Sequence, residues 1–162
     1  MVDPSVVGLA DEPFEMVLER GKIREFARAT MSSHPAYLAD PAPVIPPTFL
    51  TTTSFWAPPG RSVFAKIRLD LRRVLHGGQE YTFFGPPPRA GTTLTVQTRV
   101  ADVFEKQGRR GGTMTFVVTV TEFRDPTGRL VAEARSTVIE TGRPPTAADD
   151  ATGDGATGKE HS

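Results

Sequence analysis

Thr113-Met114-Thr115-Phe116-Val117-Val118-Thr119-Val120-Thr121 decides the fold class, because its side chains repeat every second residue. Met114, Phe116, Val118 and Val120 mark one face of an extended chain, and Thr113, Thr115, Thr119 and Thr121 mark the other. Just upstream, Leu94, Val96, Thr98, Val100 and Phe104 alternate along a long strand from about Thr92. Gly108-Arg109-Arg110-Gly111-Gly112 supplies the turn between the two, so a hairpin follows. Asp125-Pro126-Thr127-Gly128 is a second turn by composition, and Leu130 to Glu140 gives the last strand. Before the hairpin, Gln79-Glu80-Tyr81-Thr82-Phe83-Phe84 is a further strand that stops at Gly85-Pro86-Pro87-Pro88.

Long antiparallel strands need a cover over one apolar face. Between residues 40 and 60, Pro41, Pro43, Pro46, Pro47, Pro58 and Pro59 bracket Thr48 to Trp56, which places one apolar helix at about 47–56. Pro46 and Pro47 suit its first turn, where a missing N–H costs nothing. That helix is the available cover. In the amino-terminal part, Glu15-Met16-Val17-Leu18 reads as a short strand, and Gly21 to Met31 carries Ile23, Phe26, Ala27 and Thr30 at helical spacing. Pro35 disfavours helical geometry in the residue before it, so Ser32-Ser33-His34 forms a loop past the helix end. The expectation is an α+β domain over residues 1–141. From Gly142 the chain is small and polar with nothing to bury, and 142–162 is expected to be a disordered tail.

Composition removes several classes of function. The chain has 162 residues, with Lys plus Arg and Asp plus Glu at 19 each, so no basic face argues for nucleic acid. The absence of cysteine excludes disulfides, thiolate metal sites and a Cys nucleophile. No His/Asp/Glu cluster has metal-ligand spacing, and no glycine loop has P-loop or dinucleotide spacing. The amino terminus lacks a basic leader, and nowhere do 18 apolar residues run together, which gives a cytoplasmic protein without a membrane as the expectation.

Four stretches carry a family resemblance. They are Phe26 to Tyr37; Ala42-Pro43-Val44-Ile45-Pro46-Pro47-Thr48-Phe49; Leu75-His76-Gly77-Gly78-Gln79-Glu80-Tyr81; and Arg89-Ala90-Gly91-Thr92 feeding a strand toward Phe104-Glu105-Lys106-Gln107-Gly108. In this order the chain resembles the MaoC-like (R)-specific hydratases and dehydratases, and within them the amino-terminal, FAS1-like dehydratase branch, over about residues 8 to 141. The resemblance implies a hot-dog fold, a curved antiparallel sheet wrapped around a central helix. The family's active-site motif runs roughly Thr-Gly-Asp-x-Asn-Pro-x-His, with Asp and His handling the proton and the water. Aligned through Pro35, Ser32 falls at the Asp, His34 at the Asn and Tyr37 at the His. A serine hydroxyl and a phenol are poor stand-ins for such a pair at neutral pH, and each acid or base is worth roughly 10²–10⁴-fold.

The resemblance therefore implies no catalytic residue in this chain, with Ser32 and Tyr37 as the degenerate dyad positions, and a catalytic MaoC-like hot-dog subunit as partner. The expected substrate is an acyl thioester of coenzyme A or of acyl-carrier protein, in fatty-acyl or steroid side-chain metabolism, with no cofactor besides that carrier. Its acyl-binding wall would include His34, Phe49, Phe55, Trp56, His76, Gly77 and Tyr81. Each has a plainer alternative: Phe49, Phe55 and Trp56 as core, His34 as a loop histidine bonded to backbone, and Gly77-Gly78 as a β-bulge. Arg109 and Arg110 could meet coenzyme A phosphates or simply be solvated. Two other classes remain: a self-sufficient hot-dog thioesterase or hydratase using His76 or Glu80, and a non-enzymatic acyl-binding module. In a regular strand His76 and Glu80 would share a face but lie roughly 13 Å apart at ~3.3 Å per residue, unless the glycine pair bends the chain.

Overall fold

The computed structural model describes residues 2–67, 69–108 and 112–142. The expected tail beyond Gly142, together with Arg109 and Arg110, lies outside the described residues. Five strands, β1 (Phe14–Val17), β2 (Val74–Phe83), β3 (Thr93–Gln107), β4 (Thr113–Arg124) and β5 (Leu130–Thr141), form one antiparallel sheet in the order β1-β3-β4-β5-β2. Two hairpins set the centre of the sheet. β3 pairs with β4 from Thr95↔Arg124 to Gln107↔Thr113, and β4 pairs with β5 from Arg124↔Leu130 to Met114↔Thr141. β2 returns along the outer side of β5 and ends the sheet.

Helix α1 (Arg20–Ala29) buries Ile23 and Ala27, as its spacing predicts, and Thr30 ends it as an exposed C-cap. Two four-residue helices, α2 (Pro35–Leu38) and α3 (Val63–Lys66), begin at His34 and Ser62 caps. The apolar segment expected at 47–56 is a 3-10 helix over Phe49–Phe55 rather than an α-helix. Its Thr52 and Thr53 hydroxyls donate to the carbonyls of Phe49 and Leu50, three residues back, which suits the tighter winding.

The sheet face under this cover differs from the sequence reading. The covering elements pack on the side that carries Thr115, Val117, Thr119, Thr121 and Phe123, not on the side of Met114, Phe116, Val118 and Val120. On the outer face Phe104 and Phe116 stack at 5.0 Å with Lys106 over both rings, and Val120 sits between Arg99 and Arg135 across the strands. Long charged side chains can cover apolar surface with their stems, so a central strand reads as apolar on its outer side too.

Four cross-strand rows describe the inner face. Val96, Phe123, Ala132 and Phe83 form an apolar row, and Val103, Val117 and Val138 form another further along that ends at the exposed His76. Between them run Thr98, Thr121, Ala134 and Tyr81, then Val100, Thr119, Ser136 and Gln79. The core divides accordingly. One cluster gathers Met16, Leu18, Ile23, Ile45, Phe49, Leu50, Leu94, Val96 and Phe123, and a second gathers Val2, Val63, Ile67, Val100, Val103, Val117 and Val138. A band of hydroxyls separates two apolar lobes.

Candidate functional site

The degenerate motif is built at the end of α1. Met31 adopts φ 56°, its N–H donates to the Arg28 carbonyl at 2.9 Å, and the Ser32 N–H donates to the Ala27 carbonyl at 2.8 Å. This pairing is a Schellman motif with methionine where glycine is usual. The Ser32 hydroxyl accepts the His34 N–H at 3.4 Å, and Nδ1 of His34 accepts the Ala36 N–H at 3.2 Å, capping α2. Tyr37 follows inside α2 with its ring 5.2 Å from the imidazole. With Nδ1 accepting this bond, the ring N–H is on Nε2. Local hydrogen bonds thus engage the serine hydroxyl and one ring nitrogen of the histidine.

Two of the other motif stretches meet beside it. Arg89 donates to the Asp40 carboxylate at 3.0 Å and to the Ala42 carbonyl at 2.8 Å, while the Ile45 N–H donates to the Pro88 carbonyl. The Ala42 N–H and the Arg89 guanidinium hold the Asp40 carboxyl below the ordinary carboxylate range. These bonds bring the approach to the 3-10 helix against the start of β3.

The structure sorts the remaining predicted residues by environment. Phe49 is fully buried, edge-on to Phe26 at 5.5 Å and 6.4 Å from Trp56, whereas Phe55 is 74% exposed with Lys22 Nζ 6.0 Å from its ring. Trp56 is half-buried against the first lobe. His76 and Gly77 lie exposed in β2. The register slips between His76 and Gly78, so Gly77 is a bulge, with its missing Cβ 3.0 Å from Ile139. His76 opposes Val138 and Glu80 opposes Arg135, three residues apart on β5, so the bulge places His76 and Glu80 on opposite faces of the sheet. They do not form the pair that a regular strand would allow.

Between the 3-10 helix and the sheet lies a cavity of about 210 Å³. Tyr81 is the predicted binding residue that lines it. The others around it were not singled out from sequence: Asp11, Thr51, Thr53, Thr98, Thr119 and Thr121. The chain before β1 runs beside β3, with the Gly8 N–H on the Val100 carbonyl and the Asp11 N–H on the Thr98 carbonyl. Asp11, 8% exposed, accepts the Thr98 N–H through Oδ1 at 2.7 Å. Burial raises its carboxyl above the ordinary value, against the pull of the Thr98 N–H and of Lys66. Thr98 and Thr121 share a hydroxyl hydrogen bond at 2.9 Å. Nothing in Gly8-Leu9-Ala10-Asp11-Glu12-Pro13 marks a strand, because its acidic pair and Pro13 look like a turn until β3 pairs with it.

A sheet of this topology with helices gathered on its inner face defines a hot-dog protein. The model of the FAS1-like, dehydratase domain region matches residues 5–134, and the chain belongs to that family. Among curated relatives, a UPF0336 protein of Streptomyces griseus subsp. griseus is 31% identical over 148 residues, 85% of this chain and 94% of the relative. Another, from Parafrankia sp., is 32% identical over 84% of this chain and 90% of its own length. Among solved structures, the fold is similar to a chain of the HadBC (3R-hydroxyacyl-ACP dehydratase) complex of Mycobacterium tuberculosis, at 26% identity and TM-score 0.68 over 83% of this chain and 96% of that one. A MaoC-like dehydratase superposes with TM-score 0.69 at 21% identity, over 84% of this chain and 42% of that one. Among the described residues no helix is long and apolar enough to cross a membrane.

Proposed function

We propose that this chain is the acyl-binding, non-catalytic subunit of a two-component (R)-specific enoyl-thioester hydratase, or in reverse a 3-hydroxyacyl-thioester dehydratase. Adding water across the enoyl double bond requires a base for the water and an acid for the α-carbon. In this reading the partner, a second hot-dog protein, carries both as Asp and His. A backbone N–H there polarises the thioester carbonyl. The thioester is carried by coenzyme A or acyl-carrier protein.

The observation that carries the reading is the loop after α1. At the two positions aligned with the family's acid and base stand Ser32 and Tyr37, with His34 at the intervening Asn position; the Ser32 hydroxyl accepts the His34 N–H, and the His34 imidazole caps α2. Membership of a dehydratase family supports the reaction class, and the similarity to a chain of the HadBC complex supports a partner. β2 supports it further: among the described residues it ends the sheet with one side unpaired, a surface suited to strand-by-strand association.

The test is hydration of a panel of (2E)-enoyl-CoA esters by the purified chain alone and by the chain co-expressed with a small hot-dog protein encoded beside it. Activity confined to the co-expressed complex, unchanged within about twofold by Ser32→Ala, is the expected result. Turnover by the chain alone, or a hundredfold loss in the Ser32 variant, refutes the assignment.

A further inference from the structure

The cavity beneath the 3-10 helix has an unusual floor for a hydrocarbon site. Thr98 and Thr121 meet there at 2.9 Å, Thr119 is buried beside Ser136 in the next row, and Asp11 is part of the lining. A saturated chain seated on this floor would strip water from a carboxylate and several hydroxyls and return no hydrogen bond. The apolar lobes on either side show that the sheet fills inner positions with Val and Phe where burial alone is at stake. Asp11 is the second, independent sign. It is more than nine-tenths buried and accepts the Thr98 N–H through Oδ1, and among the described residues no ion pair of its Oδ2 is seen. Its volume of about 210 Å³ falls below the roughly 300–1,000 Å³ of pockets that enclose drug-sized ligands.

We propose that this cavity selects a short oxygenated acyl group, one that carries a hydroxyl several carbons beyond the thioester. The hydroxyl donates to Oδ2 of Asp11 and accepts from the Thr98–Thr121 pair, while the methylenes before it lie against Leu50, Phe14 and Phe123 of the same lining. This assignment rests on the acyl-binding reading given above and names its substrate class.

Isothermal titration of the full chain, alone and co-expressed with its hot-dog partner, with hexanoyl-CoA and with 5-hydroxyhexanoyl-CoA tests it. The hydroxylated ester should bind about tenfold tighter, the scale of one hydrogen bond to a charged acceptor. Thr121→Val, which removes the hydroxyl, should cut the preference below about threefold. Asp11→Asn, checked for folding by circular dichroism, should cut it as well by removing the charge. Equal or tighter binding of hexanoyl-CoA, or a preference that survives both substitutions, overturns the selectivity alone. If neither ester binds in either preparation, the acyl-binding reading falls with it.

Discussion

The Arg73 guanidinium donates to the Glu140 carboxylate at 2.7 Å across 67 residues of sequence, and Glu140 is only 3% exposed at its side chain. Arg73 also donates to Asp70 and to the carbonyls of Thr141 and Gly142, while the Thr141 hydroxyl donates back to the Arg73 carbonyl. One side chain therefore fastens the start of β2 to the end of β5. Arg73→Met should cost about 2–3 kcal/mol, less than the 3–5 kcal/mol of a fully buried pair because water reaches Arg73. Denaturant melts at pH 7 give the number, and a loss under 0.5 kcal/mol would show the clamp to be decorative.

Two carboxylates should move stability in opposite directions with pH. Asp125 is held at about 2 by the Thr127 hydroxyl and by Arg129, below its ordinary 3.8, so its contribution is present above about pH 4 and lost as pH falls through 2. Asp125→Asn should lower Tm at pH 7 and converge with the parent in strong acid. Asp11 is raised by burial, so its ionised form costs stability at neutral pH and the cost vanishes once it is protonated. Asp11→Asn should raise Tm at pH 7, with the gain shrinking as pH falls toward the carboxylate range. Calorimetric scans from pH 2 to 8 check both signs.

Adjacent glycines give a matched pair. A Cβ on Gly77 would stand 3.0 Å from Ile139 Cδ1 and Cγ1 and 3.1 Å from Thr137 Cγ2, whereas one on Gly78 meets nothing within 4 Å. Gly77→Ala should lose about 1–2 kcal/mol through overpacking of the outer face, and Gly78→Ala should stay within about 0.5 kcal/mol of the parent. Equal effects at the two positions would argue against the bulge.

The aromatic residues of the 3-10 helix divide in the same manner. Phe49→Ala should cost about 3–5 kcal/mol, since it empties the centre of the larger lobe. Phe55→Ala removes an exposed ring and should leave urea midpoints nearly unchanged. A loss of complex activity without a loss of stability in the Phe55 variant would mark that ring as part of a partner or ligand contact.

The strands were legible because period-two alternation survives in β3 and β4, and turn chemistry placed both hairpins. Their orientation was not. Threonine is as suited to a strand as valine, so the sequence of β4 does not say which face turns inward, and hydrogen bonding such as Thr98 to Thr121 makes the polar side acceptable inside. β2 begins at Val74, five residues before the run at Gln79, and the β-bulge weighed for Gly77-Gly78 is where its register slips against β5. The loop after α1 was legible through its proline. Asp11 was not, since its role depends on β3, 87 residues away.

The hydroxyl band also separates two coverings that rest on one continuous floor. β3, β4 and β5 run through both lobes, but the 3-10 helix belongs to the first and α3 to the second. The two coverings bury different clusters, although residues of both line the cavity between them. Local unfolding draws on such thinly tied segments. Amide exchange in the two coverings should respond to denaturant well before the sheet, at a free energy far below that of global unfolding.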